Sequence, residues 1–188
     1  MTTQDIENMI ERAAELAREP GTYATDQFNN PYSIPGHRAA LGREIWEQTD
    51  GKLAAFVQGI GTASALLGVA AALKERNADM LVVGLEPAGS AAITGEAGGS
   101  FAMQGWSGMV PPLWDPANID EVWAIDDGEA LAMTVRLAQE EGIFAGTSSG
   151  ANVVGALRLA ERLPHGSVVV TLAVDSGFKY MSGPPFGL

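Results

Sequence analysis

The sequence predicts an α/β protein in three layers, with a mostly parallel, twisted sheet covered by helices on both faces. Short apolar runs alternate with segments of helical periodicity, which is typical of parallel strands joined by crossover helices. The first apolar run breaks into a glycine turn that leads directly into a helix. The last run also ends in a polar turn, so both turns are expected at the sheet edge where ligands bind.

The individual elements follow from local pattern. The first strand starts at Leu53 and breaks at Gly59, and a very short apolar piece lies at 143–145. Further strands are predicted at 80–85, 121–125 and 168–173. Helices are predicted at 4–18, 37–48, 63–77, 128–141 and 151–163. A long irregular segment at 88–118 is expected to fold over the edge of a cleft, because loops of this length are commonly functional.

The first helix is predicted to be amphipathic, with Thr3 as its N-cap and Pro20 and Gly21 as its stop. Its apolar residues recur at helical spacing: Ile6, Met9, Ile10, Ala13, Leu16 and Ala17. We expect this face to pack on another part of the protein.

Composition narrows the functional classes. The chain has 188 residues, 46% of them hydrophobic, and a net charge of −12. Nucleic acid and anionic membranes are therefore poor partners, although a local group of N–H donors can still hold an anion. The absence of cysteine excludes disulfides and thiolate chemistry, and two histidines do not make a histidine-rich metal site, so no metal site is predicted. No signal peptide or spanning segment is evident, so the default location is the cytoplasm.

The turn at 59–65 has two interpretations. Gly59 and Gly61 are followed by Thr62 and Ser64 at the start of a helix, where unpaired backbone N–H groups favour a phosphate. The same glycines also serve simply to make a sharp turn between strand and helix. A spacing of Gly-x-Gly without the third glycine does not decide between them.

A dinucleotide-binding domain is one alternative. The pattern Gly59-x-Gly61-x-x-Ser64 is close to its motif, and Glu86 ends the next strand where a ribose-binding acid would lie. The serine in place of the third glycine and the long spacing weaken this alternative.

A serine hydrolase is a second alternative. Residues 146–150 match Gly-x-Ser-x-Gly, with Ser148 as nucleophile and His165 as base. The only acid between them, Glu161, lies on the helix that Ser148 opens, so a role for the serine pair at a helix N-terminus is the better account.

A set of motifs in order along the chain resembles the cysteine synthase and cystathionine β-synthase family, which is related to the tryptophan synthase β chain. The resemblance runs from about 27 to 181. It is carried by Gln27-Phe28-Asn29-Asn30-Pro31, Gly42-x-Glu44-Ile45-Trp46, Thr49-Asp50-Gly51, Gly59-Ile60-Gly61-Thr62, Glu86-Pro87, the segment 140–151 and Asp175-Ser176-Gly177.

The resemblance implies a pyridoxal 5'-phosphate enzyme and assigns roles to particular positions. It implies that the glycine turn holds the cofactor phosphate through backbone N–H groups, at Gly61, Thr62, Ala63, Ser64 and Ala65. The hydroxyl that meets the pyridine nitrogen falls on Ser176. Gln27 and Gly105 match positions near the substrate.

Two departures from the family accompany the resemblance. Ala63, Ser64 and Ala65 replace residues that are richer in glycine and end in a hydroxyl, so phosphate binding is expected to be weakened or altered. The backbone donors survive this change if none of the three requires a positive φ. The family's cofactor-binding lysine lies in a Ser-x-Lys segment that is absent, and no catalytic residue is predicted. The lysines present are Lys52, Lys74 and Lys179.

The resemblance therefore implies the C-terminal half of a β-replacement or β-elimination enzyme acting on an O-activated serine or a related amino acid. Residues 1–20 are expected to be a helix left from the missing half, and residues 21–188 the cofactor-holding domain. A second chain that supplies the lysine and homo-oligomerisation are the expected associations, since a half enzyme exposes apolar surface. A non-catalytic binding or regulatory module of the same fold is the competing interpretation.

Overall fold

The computed structural model describes residues 2–95 and 98–187. Within that part of the chain, four parallel strands form one sheet in the order β3-β2-β1-β4. The strands are β1 (Leu53–Gly59), β2 (Leu81–Pro87), β3 (Glu121–Ile125) and β4 (Val168–Val170). The predicted parallel α/β architecture is confirmed.

Helices cover both faces of the sheet. They are α1 (Thr3–Leu16), α2 (Ser33–His37), α3 (Arg43–Gln48), α4 (Ser64–Lys74), α5 (Asp127–Glu140) and α6 (Thr147–Ala160), with a π-helical segment at Arg38–Gly42. The side chains of β1 alternate between the two cores, as the pleat requires. Phe56 joins the core beneath α3 and α4, whereas Ala55 and Val57 join the core beneath α5 and α6. The three predicted layers are therefore present.

The strand order reverses direction beside β1. The chain moves outward from β1 through β2 to β3, and then returns to add β4 on the other side of β1. In open α/β sheets a crevice forms at such a point, beyond the carboxyl ends of the two neighbouring strands. The turns that follow β1 and β4 flank this crevice.

Several element boundaries differ from the predicted ones. The helix expected from residue 37 begins at Ser33, and the helix expected from residue 151 begins at Thr147. The apolar piece at 143–145 is not a strand, and only Ala145 makes an isolated antiparallel bridge with Ser176.

The last strand is shorter than predicted because side chains replace its backbone ladder. The hydroxyl of Thr171 donates to the carbonyl of Val57 at 2.7 Å, and the amide of Asn152 donates to the carbonyl of Leu172 at 2.9 Å. β4 therefore ends at Val170 instead of Ala173. Among the described strands it pairs only with β1, so its outer edge is unpaired.

Helix α1 is well capped but poorly covered. Thr2, one residue before the predicted N-cap, forms a capping box with Asp5. The Thr3 hydroxyl donates to the carbonyl of Gly108 at 2.9 Å, which ties the helix to the long loop. Of the predicted apolar face only Ile6 is buried, whereas Met9 is 53% exposed. The expectation that this face packs on another part of the protein is fulfilled at one residue only.

The structural findings on membranes and metals are brief. No helix in the described ranges is long and apolar enough to cross a bilayer. Likewise, no group of three histidine, aspartate or glutamate residues in residues 2–95 and 98–187 is arranged to hold a metal ion.

Candidate cofactor site

A cavity of about 800 Å³ lies at the carboxyl ends of β1 and β4. Its walls come from the turn after β1, the loop at 104–107, the turn after β4, and one side of α1. Of the predicted site residues, Gly61, Thr62, Ala63, Ala65, Gln27 and Gly105 line it. Ser64 and Ser176 do not.

The turn after β1 offers unpaired backbone donors. The N–H groups of Gly61, Thr62 and Ala63 donate to no residue in the described part of the chain. Those of Ala65 and Leu66 belong to the first turn of α4 and also make no such bond. These donors lie at the positive end of the helix dipole, so the turn is suited to an anion such as a phosphate.

Ala63 adopts a left-handed conformation, with φ 66° and ψ −12°. This conformation costs a residue with a Cβ atom about 1–2 kcal/mol, whereas glycine adopts it freely. The condition under which the backbone donors were expected to survive the loss of glycine is therefore not met. The turn keeps its shape with strain at Ala63.

A chain of hydroxyl groups supports the turn from behind. The Ser64 hydroxyl lies 3.0 Å from that of Thr62 and 3.0 Å from that of Ser33, and Ser33 donates to the carbonyl of Asn30 at 2.8 Å. The Ser64 side chain therefore links the turn to the segment that carries Gln27, instead of facing the cavity. Gln27 itself is exposed on the wall beside the buried Phe28.

The long loop closes tightly over the turn. A Cβ atom at Gly61 would lie 2.3 Å from the carbonyl oxygen of Gly105, and one at Gly59 would lie 2.0 Å from the indole nitrogen of Trp106. The N–H of Ser107 donates to the carbonyl of Ile60 at 3.3 Å. Glycine is required at both positions of the turn because the loop backbone and the indole occupy the space of a side chain.

Two serines are candidates for the hydroxyl that the resemblance places at the pyridine nitrogen. Ser148, at the start of α6, is buried and lines the cavity, and its hydroxyl bonds to no residue that the structure describes. Ser176 is exposed, and its hydroxyl accepts the N–H of Phe178 at 3.3 Å. The sequence predicts Ser148 only as a residue at a helix N-terminus; its position on the cavity wall follows from the start of α6 at Thr147, four residues before the predicted start.

The wall after β4 carries a cluster of polar side chains. One carboxylate oxygen of Asp175 accepts from the Lys179 ammonium at 3.1 Å and from the Tyr180 hydroxyl at 3.0 Å. Its other oxygen is buried with no hydrogen-bond partner among the described residues. Burial, followed by the negative charge of Asp175, raises the pKa of Tyr180 to about 12. The tyrosine is therefore a neutral donor to Asp175 at neutral pH.

The lysines of the chain are all held in ion pairs. Lys179 alone lines the cavity, and its partner is Asp175. Lys74 lies 2.7 Å from Asp120, and Lys52 lies 3.7 Å from Asp50. None of them presents a free amine to the cavity.

The geometry removes the hydrolase alternative. Ser148 lies in the first turn of α6, and His165 lies beyond the opposite end of that helix, so about 20 Å separates them at 1.5 Å per residue. A catalytic pair would require hydrogen-bonding distance.

The dinucleotide-binding alternative requires Glu86 to be free to bind a ribose, and the structure shows that it is not. The Glu86 carboxylate is buried and accepts the N–H groups of Ile93 and Thr94 at 2.8 and 3.0 Å. Its bonds to this turn account for its burial, so it is not presented to a ribose.

Comparison with known proteins decides the family. The sequence model of the family described as "Pyridoxal-phosphate dependent enzyme" matches residues 1–175. The chain belongs to this family. Cysteine synthase of Staphylococcus aureus is 34% identical over 184 residues, which cover 97% of this chain and 59% of that protein. Cysteine synthase B of Escherichia coli is 35% identical, over 98% of this chain and 58% of that protein. The predicted resemblance is confirmed.

Solved structures of related enzymes show the same fold. A structure of O-ureido-L-serine synthase matches with a TM-score of 0.86 and 37% identity, over 93% of this chain and 55% of that one. The O-acetylserine dependent cystathionine beta-synthase of Helicobacter pylori matches with a TM-score of 0.83 and 35% identity, over 94% of this chain and 57% of that one. The chain therefore spans a little more than half the length of these relatives and corresponds to their C-terminal half.

Family membership establishes pyridoxal 5'-phosphate as the cofactor, and the residues present fit its non-covalent part. Free N–H groups on one wall of the cavity suit the phosphate, and the unpartnered Ser148 hydroxyl on another wall suits a ring nitrogen. The covalent part does not fit, because the one lysine on the wall is paired with a carboxylate.

Proposed function

We propose that this chain is the cofactor-holding part of a cysteine synthase-like enzyme. The reaction is a β-replacement or β-elimination on an O-activated serine or a related amino acid. The observation that carries the proposal is the convergence of the phosphate-suited turn after β1 and the polar wall after β4 on one cavity. Catalysis requires a lysine that this chain does not place in the site, so a second polypeptide is expected to supply it.

Each wall of the cavity has a role in the proposal. The N–H groups of Gly61, Thr62, Ala63 and Ala65 hold the cofactor phosphate, and Ser64 holds the turn in shape through Thr62 and Ser33. The cofactor, when bound, supplies an electron sink for the bond changes at the substrate Cα and Cβ. Gln27 and the Gly105 loop line the side where the substrate carboxylate is expected.

Ser148 is a better candidate than Ser176 for the partner of the ring nitrogen. A hydroxyl that is buried at the cavity wall without a partner gains a hydrogen bond when a ligand arrives, whereas the Ser176 hydroxyl already bonds within its own turn. A neutral hydroxyl at this position leaves the ring nitrogen unprotonated, which favours elimination and replacement at Cβ.

The exposed apolar face of α1 supports the second polypeptide. Met9 and Leu16 lie on the predicted inward face but are 53% and 37% exposed, and the β4 edge is unpaired among the described strands. Surfaces of this kind are covered in complete domains. The homo-oligomer and the cytoplasmic location stay predictions.

The proposal is tested by reassembly. The chain is mixed with the separately produced N-terminal half of E. coli cysteine synthase B, which is expected to bind and to restore turnover of O-acetylserine with sulfide in the presence of cofactor. The two halves of the E. coli enzyme serve as the positive control, and an N-terminal half with its cofactor-binding lysine replaced by alanine is the negative control.

The competing interpretation, a non-catalytic binding or regulatory module, is favoured by one outcome of this experiment. If the mixed halves form a stable complex that binds the cofactor but gives no turnover, while the E. coli halves are active, the chain kept the fold without the chemistry. This interpretation is supported by the ion pair of Lys179 with Asp175, because it leaves the one lysine on the cavity wall without a free amine.

A further inference from the structure

The structure assigns to the isolated chain a non-covalent site for phosphorylated pyridines that does not depend on the aldehyde. This inference rests on the proposed cofactor site and extends its ligand class. Pyridoxal 5'-phosphate, its alcohol and its amine share the phosphate and the ring nitrogen and differ only at the 4′ carbon. The groups on the described walls of the cavity suit the features that all three share.

The phosphate end supplies most of the recognition. The free N–H groups of the turn after β1 converge at the start of α4, an 11-residue helix whose first turn has no side-chain cap. A phosphate bound here gains several charge-assisted hydrogen bonds and the favourable end of the helix dipole. These contacts do not depend on the group at the 4′ carbon.

The ring end supplies a second, independent feature. Ser148 is only 3% exposed and lines the cavity, and its hydroxyl has no partner among the described residues. Asp175 lies on the same wall, but its unpartnered oxygen is buried against Gly146 and is not offered to a ligand. The Ser148 hydroxyl can donate to an unprotonated ring nitrogen and accept from a protonated one, so it recognises a heteroaromatic ring nitrogen in either state.

No group on the described walls distinguishes an aldehyde. Imine formation requires a neutral amine that attacks the carbonyl carbon and releases water, and the ammonium of Lys179 is instead held 3.1 Å from the Asp175 carboxylate. Lys52 and Lys74 are paired with other acids and do not line the cavity. The covalent step is thereby separated from binding in this chain.

The test measures binding of four probes to the intact chain by calorimetry. Pyridoxal 5'-phosphate and pyridoxine 5'-phosphate are expected to bind with dissociation constants within about threefold of each other, because their shared groups make the contacts. Pyridoxal, which lacks the phosphate, is expected to bind at least about 30-fold more weakly, and inorganic phosphate weakly as well. The variant K179R keeps a cation beside Asp175 but cannot form an imine, and it is expected to leave the ratio of the first two dissociation constants within about threefold.

The outcomes separate this inference from the proposed function. Pyridoxal 5'-phosphate that binds at least about tenfold tighter than the alcohol, together with a borohydride-fixed mass on Lys179 that K179R removes, overturns the inference and leaves the cofactor site intact. If neither phosphorylated pyridine binds better than inorganic phosphate, the cofactor site itself is refuted and the proposed function falls with it.

Discussion

Helices α4 and α5 both begin with backbone N–H groups that have no partner within the helix. A side chain caps these groups at α5 but not at α4. Helix α5 begins after Asp126, whose carboxylate accepts the N–H groups of Gly128 and Glu129. Helix α4 begins after Ala63 and has no side-chain cap, and α6 begins after Gly146 in the same way. The capped end faces solvent, whereas both uncapped ends line the cavity.

The difference shows where this fold leaves hydrogen-bond capacity unused. A capping oxygen stabilises a helix by about 1 kcal/mol, so an end without one gives up stability. Helix α4 lacks a side-chain cap, and the residue before it, Ala63, is strained. Both features lie where a phosphate is expected to bind. Binding sites are commonly where local rules of stability are broken.

Gly61→Ala, in the turn before the uncapped helix α4, is expected to have the largest effect on stability and cofactor affinity. The new Cβ atom meets the Gly105 carbonyl at 2.3 Å, so the turn or the loop must move. We expect the free energy of unfolding to fall by about 1–3 kcal/mol and cofactor affinity to fall by more than about tenfold, measured by urea unfolding and calorimetry. Gly36→Ala in α2 is the matched control, since its Cβ atom meets nothing within 4 Å. Wild-type affinity in the Gly61 variant would show that the turn does not hold the phosphate.

Removal of the α5 cap is expected to separate stability from binding. Asp126→Ala should lower the free energy of unfolding by about 1 kcal/mol, because two N–H groups lose their acceptor, and should leave cofactor affinity unchanged. Ser148→Ala, at the uncapped α6, should do the reverse: a several-fold weaker affinity at nearly unchanged stability. Equal losses of affinity in the two variants would contradict the distinction between the helix ends.

Ala63→Gly is expected to stabilise the protein. Glycine relieves the left-handed strain of about 1 kcal/mol, partly offset by the greater freedom of the unfolded chain, so the net gain is a few tenths to about 1 kcal/mol. The midpoint of urea unfolding measures this gain. Ala65→Gly, in the first turn of the helix and without positive φ, is the control and should destabilise. A lower midpoint for the Ala63 variant would mean that its conformation carries no strain.

The smallest effect concerns Tyr180, which lies at the uncapped end of α6. Its pKa of about 12, raised first by burial and then by Asp175, lies above the value of 10 for an unperturbed tyrosine. Below pH 10 both folded and unfolded states keep the proton, and the unfolded state then loses it first. The contribution of Tyr180 to stability is therefore complete below pH 10 and lost as the pH rises to about 12.

A spectrophotometric titration checks this assignment. The transition that Tyr180→Phe removes belongs to Tyr180, and it should lie at a pH of about 12. Asp175→Asn removes the negative charge but not the burial, so this transition should move down but stay above 10. A Tyr180 transition at 10 in the folded protein would refute the burial of this hydroxyl.

The sequence predicted the layers and the sheet well because they depend on long apolar runs. The runs at 53–58 and 80–85 are buried on both faces, and a pattern of that length has few alternatives. The three-residue piece at 143–145 was too short to decide, and the structure uses it for one bridge instead of a strand. The start of α2 was missed because the segment before Pro35 shows no helical period.

The site was predictable only as far as backbone position. The glycine turn at 59–65 identified the phosphate end, because strand, turn and helix adjoin in the chain. The choice between Ser148 and Ser176 depended on which hydroxyl was already bonded, and the fold decides that through the N–H of Phe178. The positive φ of Ala63 was likewise not predictable, since alanine at that angle is unfavourable by its own preference.

The anchoring of α1 has a consequence for ligand exchange. The helix supplies one side of the cavity through Asp5, Ile6 and Met9, and the segment that joins it to the rest of the chain is exposed from residue 18 to 27. Proteolytic cleavage of that segment would leave the helix attached by its capped end alone. Dissociation of α1 would open one side of the cavity. A bound ligand would then dissociate faster while the sheet stays folded.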